Sequence, residues 1–353
     1  MKKSLLALAV LGAFAGAASA QSAVTIYGKI DLAVTKRNSG DSYLANGNWA
    51  NDEVQLQEQA GSRLGFRGTE DLGGGLKANF QIEHRFSPDT GAANANFWQG
   101  MSWVGVSGAF GDVRLGRDYS PIFWTGIASD PWGYDTTASV GTAHTFAGLS
   151  GNVPARYPNS ISYRTPSLGG LTIHAAIGLP EADDTEYTTG FNVQYKGGPL
   201  YAGFGFHRAP ATDLLAPGAL LGVMLPAGLV AFSADDAVTL WNLTASYDLS
   251  VVKLIGSFAQ SNADPVAGDE IKMRNFTFAI TAPIGVGELR GQISRLEGTS
   301  GIIDDTKVTK YGVGYHYPLS KRTKVYADVG SSRVTEPDLK RRTAWDIGLQ
   351  HNF

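Results

Sequence analysis

An all-β fold, a 16-stranded antiparallel transmembrane β-barrel, is the architecture that this sequence predicts. Three observations predict it. Charged residues make up only 17% of the 353, while glycines number 44 and cysteines none. Apolar and polar residues alternate with a period of two in segment after segment. Short glycine- and proline-bearing turns take turns with long irregular connections, as they do in a barrel with tight turns on one side of a membrane and loops on the other.

The composition excludes several classes. An ordinary soluble enzyme carries about 25% charged residues and about 7% glycine. Without cysteine there is no disulfide scaffold, thiolate metal site or cysteine nucleophile. A net charge of −3 offers no basic excess for nucleic acid. The mean hydropathy of −0.09 suits a chain with one lipid-facing and one water-facing surface.

The chain begins Met1-Lys2-Lys3, runs apolar from Leu5 to Ala18 and reaches Ala18-Ser19-Ala20 before Gln21. A basic start, a short apolar stretch and small residues before the cleavage point read as a signal peptide over 1–20, leaving residues 21–353 as the mature chain. The apolar run is shorter than the roughly 20 residues that a membrane span needs. An exported, cysteine-free chain points to a bacterial envelope.

The strands follow in order. Val24, Ile26, Ile30, Leu32 and Val34 share one parity, against Thr25, Tyr27, Lys29, Asp31 and Thr35. Leu76, Ala78, Phe80 and Ile82 oppose Lys77, Asn79, Gln81, Glu83 and Arg85. Comparable apolar faces comprise Leu171 to Ile177, Phe191 to Tyr195, Trp241 to Tyr247, Phe276 to Ile280, Tyr311 to Tyr317 and, last, Trp345, Ile347, Leu349 and Phe353. Seven short turns lie near residues 72–75, 108–111, 166–170, 197–199, 249–250, 283–285 and 318–320, and eight longer segments lie between them, which joins sixteen strands. One of these segments, Leu214 to Phe232, is apolar but broken by Pro217, Gly218, Gly222, Pro226 and Gly228, and reads as a loop. Each strand with its share of connections has roughly 21 residues, enough for a tilted span of about 10. Lipid requires apolar side chains outside, and a closed ladder satisfies every backbone group. A barrel of this width encloses water or a plug. A secreted β-sandwich would also alternate, but it leaves the tyrosines and phenylalanines at strand ends without a reason, whereas membrane interfaces collect them.

Several runs resemble the Gram-negative general porins. They are Gly61-Ser62-Arg63-Leu64-Gly65-Phe66-Arg67-Gly68-Thr69-Glu70-Asp71-Leu72-Gly73-Gly74-Gly75-Leu76-Lys77, Ser102-Trp103-Val104-Gly105-Val106-Ser107-Gly108, Val113-Arg114-Leu115-Gly116-Arg117, Asn159-Ser160-Ile161-Ser162-Tyr163 and Leu319-Ser320-Lys321-Arg322-Thr323. The opening Val24-Thr25-Ile26-Tyr27-Gly28 and the terminal Phe353 fit as well. The resemblance implies a homotrimer in the outer membrane of a Gram-negative bacterium, among lipopolysaccharide and outer-membrane lipids. It implies a water-filled pore for ions and small hydrophilic solutes, and a third loop, here about residues 119–157, folded inward. Phe353 would be the signal read by the barrel assembly machinery.

The resemblance also implies a constriction where basic wall residues face acids on the third loop. Parity places Lys29, Arg63 and Arg67 toward the lumen, and the resemblance adds Arg156 as a wall position. Asp118, Asp130 and Asp135 are the candidate loop acids. Phe123, Trp124, Trp132 and Tyr134 could line a path for flat or carboxylated solutes, or could pack the loop against the wall. A further wall arginine of the family aligns with Gly100 or Met101, so the basic ladder is shorter here.

Neither a metal site nor a cofactor is expected. His84, His144, His174, His207, His316 and His351 belong to no catalytic motif, so the chain reads as no enzyme. Asp183-Asp184, Asp235-Asp236 and Asp304-Asp305 fall in loops, as solvated tips or as ligands of bridging divalent cations. A non-conducting adhesin or barrel enzyme is the alternative from another class. A channel selective for aromatic or carboxylated molecules is the alternative within this one.

Overall fold

The computed structural model describes residues 23–37, 53–147, 155–181, 187–210, 237–264, 270–299, 307–335 and 341–353. The leader at 1–20, the apolar stretch at 214–232 and the three aspartate pairs lie outside them.

Eighteen strand segments form one antiparallel ring. They are β1 (Ala23–Arg37), β2 (Val54–Gln57), β3 (Arg63–Gly73), β4 (Leu76–Ser87), β5 (Ala92–Ala93), β6 (Met101–Gly108), β7 (Gly111–Tyr119), β8 (Arg156–Arg164) and β9 (Leu171–Gly178). There follow β10 (Thr188–Gly197), β11 (Leu200–Pro210), β12 (Ala237–Asp248), β13 (Lys253–Ala263), β14 (Ile271–Ile284), β15 (Gly287–Gly298), β16 (Lys307–Pro318), β17 (Thr323–Val334) and β18 (Arg342–Asn352). Segments β2 and β3 both pair with β1 and make one stave. Segment β5 pairs only with the end of β4, whose main neighbour is β6. The barrel is therefore 16-stranded, and β1 pairing with β18 closes it. A sandwich would have two sheets with free edges; this ring has none.

The faces separate as the alternation requires. Ile26, Val104, Phe276 and Ile347 are among the exposed apolar residues of the outer surface, while Asp31, Asn192, Asn242 and Thr277 are buried inside. Tyr163, Tyr195, Tyr247 and Tyr317 are exposed beside the short turns, the level at which a membrane interface holds aromatic rings.

The inner face departs from a uniformly polar lumen. On β12 to β16 the inward positions include Val238, Leu240, Ala259, Ala263, Ile271, Met273, Leu296 and Val308. They pack on Ile122, Phe123, Phe146 and Ala147 of the segment after β7. A loop docked inside a barrel needs a dry contact of its own, so this arc of wall carries apolar residues on both faces.

Candidate functional site

The third connection leaves β7 at Tyr119 and returns to β8 at Arg156. It contains two short helices, α1 (Pro121–Ile127) and α2 (Gly141–Thr145). Ser120, extended at the N-cap, and Pro121, with its preset φ, start α1. Its carbonyls and hydroxyls meet inward side chains of the wall. Asn192 on β10 donates to the Pro121 carbonyl at 2.5 Å, and Thr244 on β12 donates to the Thr125 carbonyl at 2.9 Å. The Thr125 hydroxyl meets Asn242 at 2.6 Å.

The rest of the segment continues around the same inner surface. Ser261 on β13 donates to the Ala147 carbonyl (2.6 Å), Arg290 on β15 to the Pro131 carbonyl (2.8 Å) and Gln292 to the Ala138 carbonyl (2.5 Å). Trp132 Nε1 donates to Asp328 on β17 at 2.7 Å, and the Thr137 amide donates to Asp346 on β18 at 2.8 Å. The belt ends on β1, where Lys29 Nζ lies 3.0 Å from Asp135 Oδ2. It covers the wall from β10 round to β1 and leaves β3 to β8 facing the lumen.

The tip that carries Asp135 is strained. Gly133, Tyr134 and Thr136 all have left-handed φ, of 66°, 69° and 67°. For Tyr134 and the β-branched Thr136 this costs on the order of 1–3 kcal/mol each. The Tyr134 hydroxyl pairs with Thr145 at 2.8 Å, and the Thr136 amide donates to the Gln59 carbonyl at 2.9 Å. These contacts on both sides of Asp135 hold the bend that turns its carboxylate toward Lys29.

On the uncovered arc, Lys29 pairs across strands with Arg63, and Arg63 pairs with Arg85. Three cations in one row need a counter-charge, which Glu83 supplies. It is only 1% exposed, its Oε1 lies 2.7 Å from Arg85 Nη2, and its Oε2 lies 3.9 Å from Arg63 Nη1. Tyr27 donates to the same carboxylate at 3.1 Å. The Arg85 and Arg63 guanidiniums also donate to the Gly61 carbonyl, at 3.1 and 3.2 Å. From β8, Arg156 lies over the Tyr119 ring at 4.1 Å and donates to its hydroxyl at 2.6 Å. Arg85 reaches that hydroxyl at 3.3 Å. Three guanidiniums thus surround the Glu83 carboxylate and one phenol, with Glu58 acting on Arg85 from nearby, and positive charge stays in surplus beside the Lys29–Asp135 pair.

The expected site residues divide into three groups. Lys29, Arg63, Arg156 and Asp135 come together at the level of the loop. Arg67 lies farther toward the short turns, exposed, with its guanidinium 5.3 Å from the Tyr27 ring. Two of the acids are corrected. Asp118 is a wall residue at the end of β7, bound to Arg114 at 2.9 Å. Asp130 is buried inside the loop, accepting from the Trp132 amide at 2.9 Å, the Gly141 amide at 3.4 Å and the Ser139 hydroxyl. Burial raises the Asp130 carboxyl above its ordinary range. This acid organises the loop instead of facing the arginines.

The aromatic candidates also have definite surroundings. Phe123 stacks on Tyr119 with centroids 4.1 Å apart and meets Tyr134 edge-on. Trp132 is committed to Asp328. Trp124 alone lines a recess, with Tyr201, Lys196 and Lys253. Gly100 packs on Glu83 so closely that a side chain there would displace the carboxylate, a physical reason for the short basic ladder. Sequence reasoning overlooked Glu83 and Tyr119 as the partners of the arginines. It also overlooked Arg114, which lies 4.1 Å over Trp103 between Asp112 and Asp118. Glu83 shares the polar parity of its strand with Arg85; the pairings are not legible there.

The similarities to known proteins agree with this geometry. The family model described as Gram-negative porin matches residues 7–337. Outer membrane porin protein 32 of Delftia acidovorans is 34% identical over 99% of this chain and 93% of its own. An outer membrane porin protein of Bordetella pertussis is 30% identical over the whole of both chains. Among solved structures, the anion-selective porin from Comamonas acidovorans superposes with a TM-score of 0.77 at 29% identity, covering 94% of this chain and all of that one. The trimer form of OmpT from Vibrio cholerae shares the fold at 14% identity, with a TM-score of 0.72 over 94% of this chain and 99% of its own. With a closed 16-stranded barrel, a loop belted to its inner wall and relatives matched from end to end, the chain belongs to the Gram-negative porin family.

Proposed function

We propose that the chain is an outer-membrane porin whose water-filled pore passes ions and small hydrophilic solutes by passive diffusion, with a weak preference for anions set where the third loop narrows the lumen. The observation that carries the preference is the cluster of Arg63, Arg85 and Arg156 around Glu83, where the guanidiniums outnumber the carboxylates. A charged rim in a narrow, low-dielectric passage focuses its field on the permeant and sorts by sign. The named selectivity of the Comamonas relative supports the same sign. In this reading residues 1–20 are a cleaved leader and the barrel assembles as a homotrimer among lipopolysaccharide and outer-membrane lipids. Phe353 is the assembly signal, and no catalytic step is involved.

Planar-bilayer recording under a salt gradient tests this proposal. Wild type should conduct in ohmic steps with a reversal potential on the anion side, and Arg63→Ala should move it toward cations. An unchanged potential removes Arg63 from the selectivity element; the absence of conductance steps removes the pore reading altogether.

A second reading, a channel for aromatic or carboxylated solutes, rests on the Trp124 recess with Lys196 and Lys253. Saturable block by an aromatic carboxylate, relieved in Trp124→Ala, would favour it.

A further inference from the structure

The lipid-facing side of β14 to β17 changes character at its long-loop end. Phe276, Phe278, Ile280, Ala282 and Ile284 are the outward positions of β14 down to its short turn. They span roughly 26 Å of tilted strand, most of an apolar band about 25 Å tall. The next outward positions are Arg274 and Lys272. Arg295 and Glu297 of β15, Lys307 and Thr309 of β16 and Arg333 of β17 share this margin. Parity fixes their direction, because Ile271, Met273, Leu296 and Val308 between them belong to the buried inner patch.

The register shows how these groups are arranged. Phe276 pairs with Arg295, Arg295 with Thr309 and Thr309 with Arg333, so two arginines stand in one row with a hydroxyl between them. Neighbouring strands lie about 4.8 Å apart, which puts the two arginine backbones about 10 Å apart. Two long side chains can close that gap on a single phosphate. One rung nearer the loops, Gln260, Arg274, Glu297 and Lys307 form the next row.

Acids are present on this margin, and they are outnumbered. Glu297 Oε1 lies 2.5 Å from Arg295 Nε, and the arginine side chain is still 51% exposed. Glu270 lies 3.1 Å from Lys272 Nζ and accepts from Asn262. Asp264 follows the end of β13. Arg274 donates to the neutral Gln260 at 3.0 Å. Among the described residues, Lys272, Arg274, Arg295, Lys307 and Arg333 thus face Asp264, Glu270 and Glu297, and both Arg274 and Arg333 are exposed.

Lipid, not the pore, meets this surface. Long loops face the exterior, so the margin lies at the headgroups of the outer leaflet. Each lysine or arginine beside anionic headgroups contributes about 1 kcal/mol, and the guanidinium fork fits phosphate oxygens in pairs. Acyl chains have an apolar surface next to the arginines: the Phe258 and Phe276 rings lie 4.8 Å apart, and Trp241 lies 5.1 Å from Phe258.

We propose that this surface binds the phosphorylated headgroup of an outer-leaflet saccharolipid, with a phosphate between Arg295 and Arg333 at the Thr309 hydroxyl and Arg274 alongside. The inference rests on the reading of the chain as an outer-membrane porin, and it concerns the outside of the barrel, apart from the constriction.

Native mass spectrometry of the full-length mature protein, refolded without lipopolysaccharide and titrated with diphosphorylated lipid A, tests the proposal. Wild type should retain lipid A, and phosphate-free lipid A should bind at least about tenfold more weakly. Arg295→Gln with Arg333→Gln should weaken lipid A binding by about tenfold or more, with unitary conductance unchanged. Arg63→Ala, inside the lumen, should bind lipid A as wild type does. If the double variant does not fold, Arg274→Gln should weaken binding while Arg333→Lys keeps it. Equal retention of both lipid A forms by wild type overturns the proposal, as does a double variant that binds like wild type. Loss of the oligomer in the double variant with lipid binding intact would assign the face to contact between copies and overturn it too. Conductance steps in wild type keep the porin reading whatever the lipid result; their absence counts against that reading instead.

Discussion

Lys29 Nζ on β1 lies 3.0 Å from Asp135 Oδ2 at the tip of the third loop, and this pair fastens the free side of the loop to the wall. The lysine side chain is 7% exposed and the aspartate 28%, so the pair is only partly screened by water. It joins residues 106 apart in sequence.

Breaking this pair from either side should act in opposite directions. Lys29→Ala leaves Asp135 uncompensated and should shift the reversal potential toward cations; Asp135→Asn frees the lysine and should shift it toward anions. The permeability ratio should change by roughly two- to fivefold, as about 1 kcal/mol of local potential would produce. Shifts of the same sign in both variants would mean that loop displacement, not charge, governs selectivity.

Glu83→Gln should strengthen anion preference and weaken the barrel. The substitution removes the carboxylate shared by Arg85, Arg63 and Tyr27. Leaving half-buried guanidiniums without their counter-ion costs about 1–3 kcal/mol, since Arg85 keeps the Gly61 carbonyl and the Tyr119 hydroxyl. The expected readout is a larger anion-side reversal potential together with a lower unfolding temperature. An unaltered melting curve would show that water replaces the carboxylate without loss.

Gly330→Ala should lift the loop tip from β17, because the added methyl occupies the position of the Thr137 carbonyl. The tip can move only into the lumen, so unitary conductance should fall and become noisier while the barrel stays folded. Conductance equal to wild type would show that the loop yields without entering the current path.

Acid should loosen the loop through His144. This ring is buried, its Nδ1 lies 2.9 Å from the Ser294 hydroxyl, and burial lowers its pKa from 6.5 to about 3. A depressed pKa means that the docked loop holds the neutral ring. The stabilisation is complete above pH 6.5 and is lost as pH falls toward 3, at about 1.4 kcal/mol per unit. Asp130, whose pKa is raised by burial, acts in the opposite sense: its docked form favours the proton, so it gains stability as pH falls below its raised value. Thermal unfolding and gating noise recorded from pH 7 to pH 4 should show a loss that His144→Gln reduces. An identical profile in the variant would remove the histidine from the response.

The staves of the barrel were legible because lipid and water impose opposite demands on alternate residues. Trp345, Ile347 and Leu349 face outward, and Asp346 faces inward, as their parity requires. The lumen parity of Lys29 and Arg63 was legible for the same reason. The partners of these residues were not. Asp118, Asp130 and Asp135 look alike as candidate acids in and beside one irregular loop, yet one joins the wall, one organises the loop and one meets Lys29. The apolar inner patch was hidden as well. In β12, Val238 and Leu240 face inward and Trp241 and Leu243 outward, so the period-two signal blurs where a loop docks.

By itself the sequence determined the number of strands, which face of each meets lipid, the turns and the family to which the chain belongs. These follow from local patterning repeated along the chain. Only the tertiary structure decided the path of the third loop and the counter-ion of the arginine row. The reason is physical: the loop's bonds to Asn242, Asp328, Asp346 and Lys29 join residues more than 100 positions apart. Such contacts exist only once the barrel has closed and set those inward side chains around a single lumen.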